Sequence, residues 1–227
     1  MRRALPALLA TALWACQAVH PEVPDSDPGP YALRCTATSD PPPPPLAPPG
    51  PVVVAGEPSY QMTMARRYLD WEQWQRAEVA FSYITVGDTG DDAGNRQLAT
   101  FWRAVALFQL RRHDESADLF VSIALDPSHL MFRETLVWLS RLSIDATDAV
   151  PPLAFARYTD ADLAAVGDSL TPEAHARLLF LLGRSRFALR DYASARHFFD
   201  RMPPSSADTS VGRECSRLAA LALTASR

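Results

Sequence analysis

Residues 181–199 read LLGRSRFALRDYASARHFF, and their spacing decides the fold. Gly183 and Ala195 stand 12 positions apart, and Phe199 follows 4 later. The pattern recurs in RAVALFQLRRHDESADLF, residues 103–120, as Ala104, Ser116 and Phe120. It recurs again in MARRYLDWEQWQRAEVAF, residues 64–81, as Ala65, Ala77 and Phe81. The other apolar residues of each copy fall at helical spacing, among them Phe187, Leu189 and Tyr192, or Leu107, Phe108 and Leu110. A small residue on each of two antiparallel helices lets the axes approach. A ring one turn further on then fills the groove toward the next pair.

These small and aromatic positions resemble those of the tetratricopeptide repeat (TPR) family. The resemblance implies an all-α fold, an α-solenoid of stacked helix pairs. It covers roughly residues 58–202 of the chain. The period departs from the family, since Ala65 to Ala104 is 39 residues and Ala104 to Gly183 is 79. A long loop, VGDTGDDAGN at residues 86–95, accounts for the first interval, and a degenerate unit has to occupy the second. The expected units span about 58–90, 96–127, 130–160 and 172–202, within a helical domain of residues 58–227. In the degenerate unit Leu130 to Ile144 reads as a first helix, Pro151-Pro152 can open a short second one, and Asp160 to Val166 forms another. Thr171-Pro172-Glu173 is a capped helix start, and a final helix over about 209–225 covers the end of the stack.

Working outward, the 227 residues are 48% hydrophobic and 21% charged, which suits globular material for most of the length. The net charge of −4 lacks the basic excess that phosphate neutralisation requires, so no nucleic-acid partner is expected. All 22 basic residues are arginine. Without lysine there is no P-loop lysine, no Schiff base and no lysine general base. A GC-biased genome accounts for the replacement as well as any functional demand does.

Met1-Arg2-Arg3 followed by Ala4–Ala15 has the layout of a secretory signal, about 12 apolar residues after a positive start. Leu13-Trp14-Ala15-Cys16 resembles the bacterial lipobox, although Trp14 departs from it. By that resemblance residues 1–15 are a lipoprotein signal peptide and Cys16 is the lipidated anchor to the membrane. Gln17 in place of Asp then implies the outer membrane, facing the periplasm. The alternative is cleavage near Ala18 and a soluble periplasmic protein. Residues 16–57 read as a flexible tether: 13 of the 20 prolines lie between Pro21 and Pro58, including the block Pro41–Pro45.

No catalytic motif is present, so no enzyme and no cofactor are expected. Gly167-Asp168-Ser169 and Gly183-Arg184-Ser185 lack the glycine that completes a nucleophile elbow. The histidines at 20, 113, 129, 175 and 197 form no i,i+4 pair, so no metal site is expected. Asp88, Asp91 and Asp92 lack the EF-hand order of ligands and read as a solvated loop. Cys35 and Cys215 could pair as a disulfide in an oxidising compartment. Cys215 also shares a helical stripe with Val211, Leu218 and Ala222, which suits a buried thiol.

By resemblance to the family, a concave groove is lined by first-helix positions. Here these are Met62, Arg66 and Leu69; Phe101, Val105 and Phe108; and Arg177, Phe180, Arg184 and Phe187. Rings and guanidinium groups together suit peptide capture. The expected function is a non-catalytic TPR scaffold lipoprotein that binds another envelope protein and supports an outer-membrane or periplasmic complex. Pilus and secretin, barrel-assembly and motility machines are all compatible types. The alternative is a substrate-recruiting accessory to a cell-wall enzyme or export system.

Overall fold

A computed structural model describes residues 53–146, 149–167 and 170–225. Among these residues all regular structure is helical. Helix α1 (Tyr60–Asp70) pairs with α2 (Trp74–Val86), α3 (Ala93–Gln109) with α4 (His113–Ala124), and α7 (Pro172–Ala188) with α8 (Tyr192–Phe199). Between the second and third pairs lie α5 (Phe132–Asp145), a 3₁₀ turn (Pro152–Phe155) and α6 (Asp160–Gly167). Helix α9 (Ser210–Ala225) closes against α8 and α7. From α1 to α6 and again from α7 to α9 each α-helix packs on the next, and α7 joins the two runs by packing on α5 and the 3₁₀ turn, which is the order of a solenoid.

The three pairs turn by one mechanism. After Trp71, Leu110 and Leu189 the backbone enters the left-handed region at Glu72 (φ 55°), Arg111 (φ 62°) and Arg190 (φ 62°). Each lies seven residues after the small residue of its copy, and each turn makes the same pair of backbone bonds. Glu72 N–H donates to the Leu69 carbonyl and Gln73 N–H to that of Tyr68; Arg111 and Arg112 donate to Phe108 and Leu107; Arg190 and Asp191 donate to Phe187 and Arg186. This is the doubled closure of a Schellman ending, made without glycine.

The small and aromatic positions are where the close packing occurs. Ala65, Ala77, Phe81, Ala104, Ser116, Phe120, Gly183, Ala195 and Phe199 are all buried. The Ser116 hydroxyl donates to the Ala104 carbonyl at 2.9 Å, so the second pair is hydrogen-bonded between its two small positions. The Phe199 ring sits so close to Gly183 that an added Cβ would lie 2.4 Å from Cε1. Only a hydrogen fits there. Buried Glu78 joins the first two pairs, accepting from Arg103 Nε at 3.1 Å and pairing with Arg112 at 3.6 Å.

Helix starts are capped by side chains the sequence supplies. Ser59 accepts from Met62 N–H, Asp92 from Asn95 N–H, Thr171 from Ala174 N–H, and Asp191 from Ser194 N–H. The acidic loop does more than meet solvent, contrary to its sequence reading. Asp91 is 5% exposed and accepts from Ser59 N–H, the Ser59 hydroxyl and the Thr89 hydroxyl. Asp92 also accepts from Gly56 N–H at 2.6 Å. The two carboxylates clamp residues 56–59 against the start of α3. Gly94 permits this approach, since a Cβ there would meet the Ala55 backbone at 2.4 Å.

In the degenerate unit the second helix is replaced. Pro151 is extended (ψ 148°) and Pro152 opens only a single 3₁₀ turn instead of the short helix its sequence suggests. The segment instead inserts large side chains. Phe155 and Tyr158 are fully buried, and Tyr158 stacks on Phe132 at 4.3 Å while its hydroxyl donates to the Phe132 carbonyl. The Tyr158 carbonyl in turn accepts from Arg186 on α7. Sequestration from water pushes the Tyr158 phenol well above its ordinary pKa.

Candidate protein-contact surface

The expected groove positions separate into two groups. Met62, Phe101, Val105, Phe180 and Phe187 are buried in the core. Phe101 packs edge-on to Phe120 at 5.9 Å, and Phe187 packs edge-on to Tyr192 at 5.3 Å. Their bulk fills the space between helices, so burial withdraws these five from any exposed groove. Leu69 and Phe108 are half-buried, Phe108 meeting His113 and Trp138 edge-on at 5.5 Å each.

The arginines differ from one another. Arg177 is a structural strut: its Nε donates to Ser143 Oγ at 3.0 Å and its Nη2 to the Ser143 carbonyl, tying α7 to α5. Burial lowers its guanidinium pKa from the ordinary value. Arg184 is half-buried, and Arg66 alone of the ten expected positions is exposed. His197 and Arg201 share the Asp160 carboxylate, linking the α8 end to α6, and the His197 contact measures 2.9 Å. His113 is half-buried against Phe108. Among the described residues, no three His, Cys, Asp or Glu side chains converge as metal ligands.

Cys215 is 2% exposed, and its thiol faces the Phe199 carbonyl at 3.7 Å. Burial pushes its pKa up to about 11. It is a core thiol between α9 and α8. Cys16 and Cys35 lie outside the described residues, as do the expected signal peptide and nearly all of the expected tether.

Exposed apolar surface gathers elsewhere. Tyr60, Trp71, Val79, Tyr83 and Val86 all belong to the first pair or its turn, and Tyr60 is 74% exposed. Tyr60, Met64 and Tyr68 recur every fourth residue along α1, and Val79 and Tyr83 do so along α2. These two stripes face each other across a depression of about 750 Å³, with Ala80 in its wall and Gln61, Gln75, Arg76, Asp88 and Thr89 supplying polar groups. Trp71 extends the aromatic surface, 6.2 Å from Tyr68. Within the depression, Tyr68 and Ala80 pack against the core residues Met62, Ala65, Ala77, Phe81 and Ile84, while Tyr60, Val79 and Tyr83 stand exposed around it. In the sequence the stripes were visible as a second i,i+4 apolar run on each helix. The repeat pattern drew attention to the core run and away from this one.

No family model matches the chain, and no curated protein matches it in sequence. The chain is similar to two crystal structures of a Podosopora anserina kinesin light chain protein with nearly identical TPR-like repeats. Each is 16% identical and covers 73% of this chain; the shares of the other chain are 84% and 85%, with TM-scores of 0.36 and 0.35. By its own three equivalent turns and buried small-residue contacts, the described part of the chain is an all-α solenoid of stacked helix pairs.

Proposed function

We propose that the protein is an interaction scaffold of the bacterial cell envelope, held to the outer membrane through Cys16. It engages a partner protein of a periplasmic or outer-membrane complex through the first helix pair. One observation supports this above others: a concave, tyrosine-rich apolar surface stands open on α1 and α2, while the first-helix rings Phe101, Phe180 and Phe187 of the later pairs are buried in the core. Tyrosine offers a large ring with a polar tip at small entropic cost, the residue type that dominates protein-contact energetics. Gln75, Arg76 and Asp88 around the rings can fix orientation.

The experiment is photocrosslinking in the native envelope, with a benzoylphenylalanine at Val79 and a control probe at Ile144, which is also exposed but lies outside this surface. A discrete partner captured at residue 79 and not at 144 is expected. Equal, diffuse capture at both positions would refute the assignment. Loss of a multiprotein assembly in a deletion strain fits the scaffold, whereas intact assembly with altered wall or export would point to the recruiting role.

A further inference from the structure

The depression on α1 and α2 has chemistry that narrows what can lie in it. Its rings are tyrosines, Tyr60, Tyr68 and Tyr83, accompanied by amide and guanidinium donors on Gln75 and Arg76. Proline-rich segments suit such a lining. Their rings pack on aromatic faces, their tertiary amides present strong carbonyl acceptors without a competing N–H, and their extended left-handed helix loses little entropy on docking. Tyr60 and Tyr68 are eight residues apart on α1, about 12 Å along the axis. Four consecutive prolines in that helix also occupy about 12 Å.

Such a segment is close at hand in the chain itself. Residues 42–51 read PPPPLAPPGP and carry no charge; they precede the first described residue by only a few positions. The described chain begins beside the depression's rim. Val54 and Ala55 lie against Gly94, and Ser59 and Thr89 share the Asp91 carboxylate, Thr89 being itself a wall residue. From Val53 back to Pro45, eight residues reach at most about 27 Å, twice the distance between the outer tyrosines. Gly50, between Pro49 and Pro51, supplies the freedom a reversal needs.

We propose that residues 42–51 of the same chain fold back onto the tyrosine-lined depression and cover it until a partner displaces them. This rests on the contact surface assigned above and adds a regulator to it. The segment is neutral, so its docking leaves Arg76 and Asp88 to solvent at the rim. The apolar surface is thereby shielded in the unpartnered protein, and a partner must out-compete a tethered ligand.

The test uses the purified full chain carrying benzoylphenylalanine at Val79, irradiated as a mixture of isotopically heavy and light protein. Cleavage after arginine places residues 42–51 in the fragment 35–66 and the probe in the fragment 77–96, so a crosslink between them joins two separate peptides. Crosslinks within residues 42–51, in heavy–heavy and light–light products only, are the expected result. They should be lost when Pro42, Pro43, Pro44 and Pro45 are each replaced by Ser, a change outside every described helix. Heavy–light products would mean that a second copy occupies the surface and would overturn the proposal. So would crosslinks confined to residues 53–57, or crosslinks that survive the proline replacements. A partner still captured at Val79 in the envelope would then leave the scaffold role standing without its cover.

Discussion

Replacing Gly183 with Ala tests the idea that close approach of α7 and α8 fixes the best-formed pair. A Cβ at 183 would lie 2.4 Å from Phe199 Cε1, 2.6 Å from Cδ1 and 3.0 Å from Cζ. Carbon atoms rest about 3.5–4 Å apart, so the ring must retreat by about 1 Å. Phe199 is 4% exposed and cannot swing into water; the helices have to separate instead. Overpacking of this kind costs about 1–3 kcal/mol. Alanine returns about 1 kcal/mol through its better helix propensity. Given a contact as short as this, the net loss should be about 1–2 kcal/mol, or about 3–6 °C in Tm for a domain of this size. Urea and thermal unfolding of the single variants, and of Gly183→Ala with Phe199→Leu, complete a double-mutant cycle with coupling of about 1 kcal/mol or more. Gly167→Ala is the control, since nothing stands within 4 Å of its added Cβ. A Gly183→Ala protein as stable as its parent, or strict additivity with Phe199→Leu, would refute the packing account.

Arg190→Gly should raise stability by about 0.5–1 kcal/mol in urea unfolding, because glycine takes a left-handed φ without a Cβ penalty; Arg190→Val should lower it. Ser59→Ala removes both the α1 cap and a bond to Asp91, at a cost of about 1–2 kcal/mol, read as faster hydrogen exchange at Met62 N–H. Burial raises the Asp91 pKa, but hydrogen bonds from Thr89 and Ser59 outweigh it, and the net shift is below the ordinary 3.8. Its contribution to stability is therefore complete above that ordinary value and is lost as pH falls through the lower folded one. An acid titration of the parent should steepen there, and Asp91→Asn should flatten it. With Cys16 and Cys35 replaced by Ser, the Cys215 thiol, with its pKa at about 11, should resist a disulfide reagent at pH 8 and react fully in denaturant.

Much of the fold was legible because helix pairing depends on sterics that single residues announce. Ala65 with Ala77, Ala104 with Ser116, and Gly183 with Ala195 mark where axes touch, and their spacing places each turn between them. The turn conformation was not legible. Glu72, Arg111 and Arg190 carry none of the glycine or asparagine that signals a left-handed residue; two backbone bonds at each site hold them there. Nor was the role of the acidic loop. Asp91 and Ser59 are 32 positions apart, and nothing in local composition tells a clamped carboxylate from a solvated one.

Five of the ten expected groove residues are buried for a related reason. A repeat pattern reports positions that are equivalent along the chain, whereas exposure depends on which neighbours each copy has. Phe101 has Phe120 and Trp102 around it, and Phe180 and Phe187 belong to the same continuous core. The degenerate unit contributes to this. With a 3₁₀ turn in place of a second helix, α5 and the inserted Phe155 and Tyr158 lie directly against α7, and Arg177 is drawn into Ser143. Residues that would have faced outward in a regular array are thereby taken into packing. The first pair has no such insertion on its Tyr60–Tyr68 stripe among the described residues, so its second apolar run stays open. Substituting Tyr60 and Tyr83, both exposed, with Ser should leave urea stability within about 1 kcal/mol of the parent while abolishing partner capture, because surface changes away from packed contacts cost little. A loss of several kcal/mol would instead mean that these rings belong to the core.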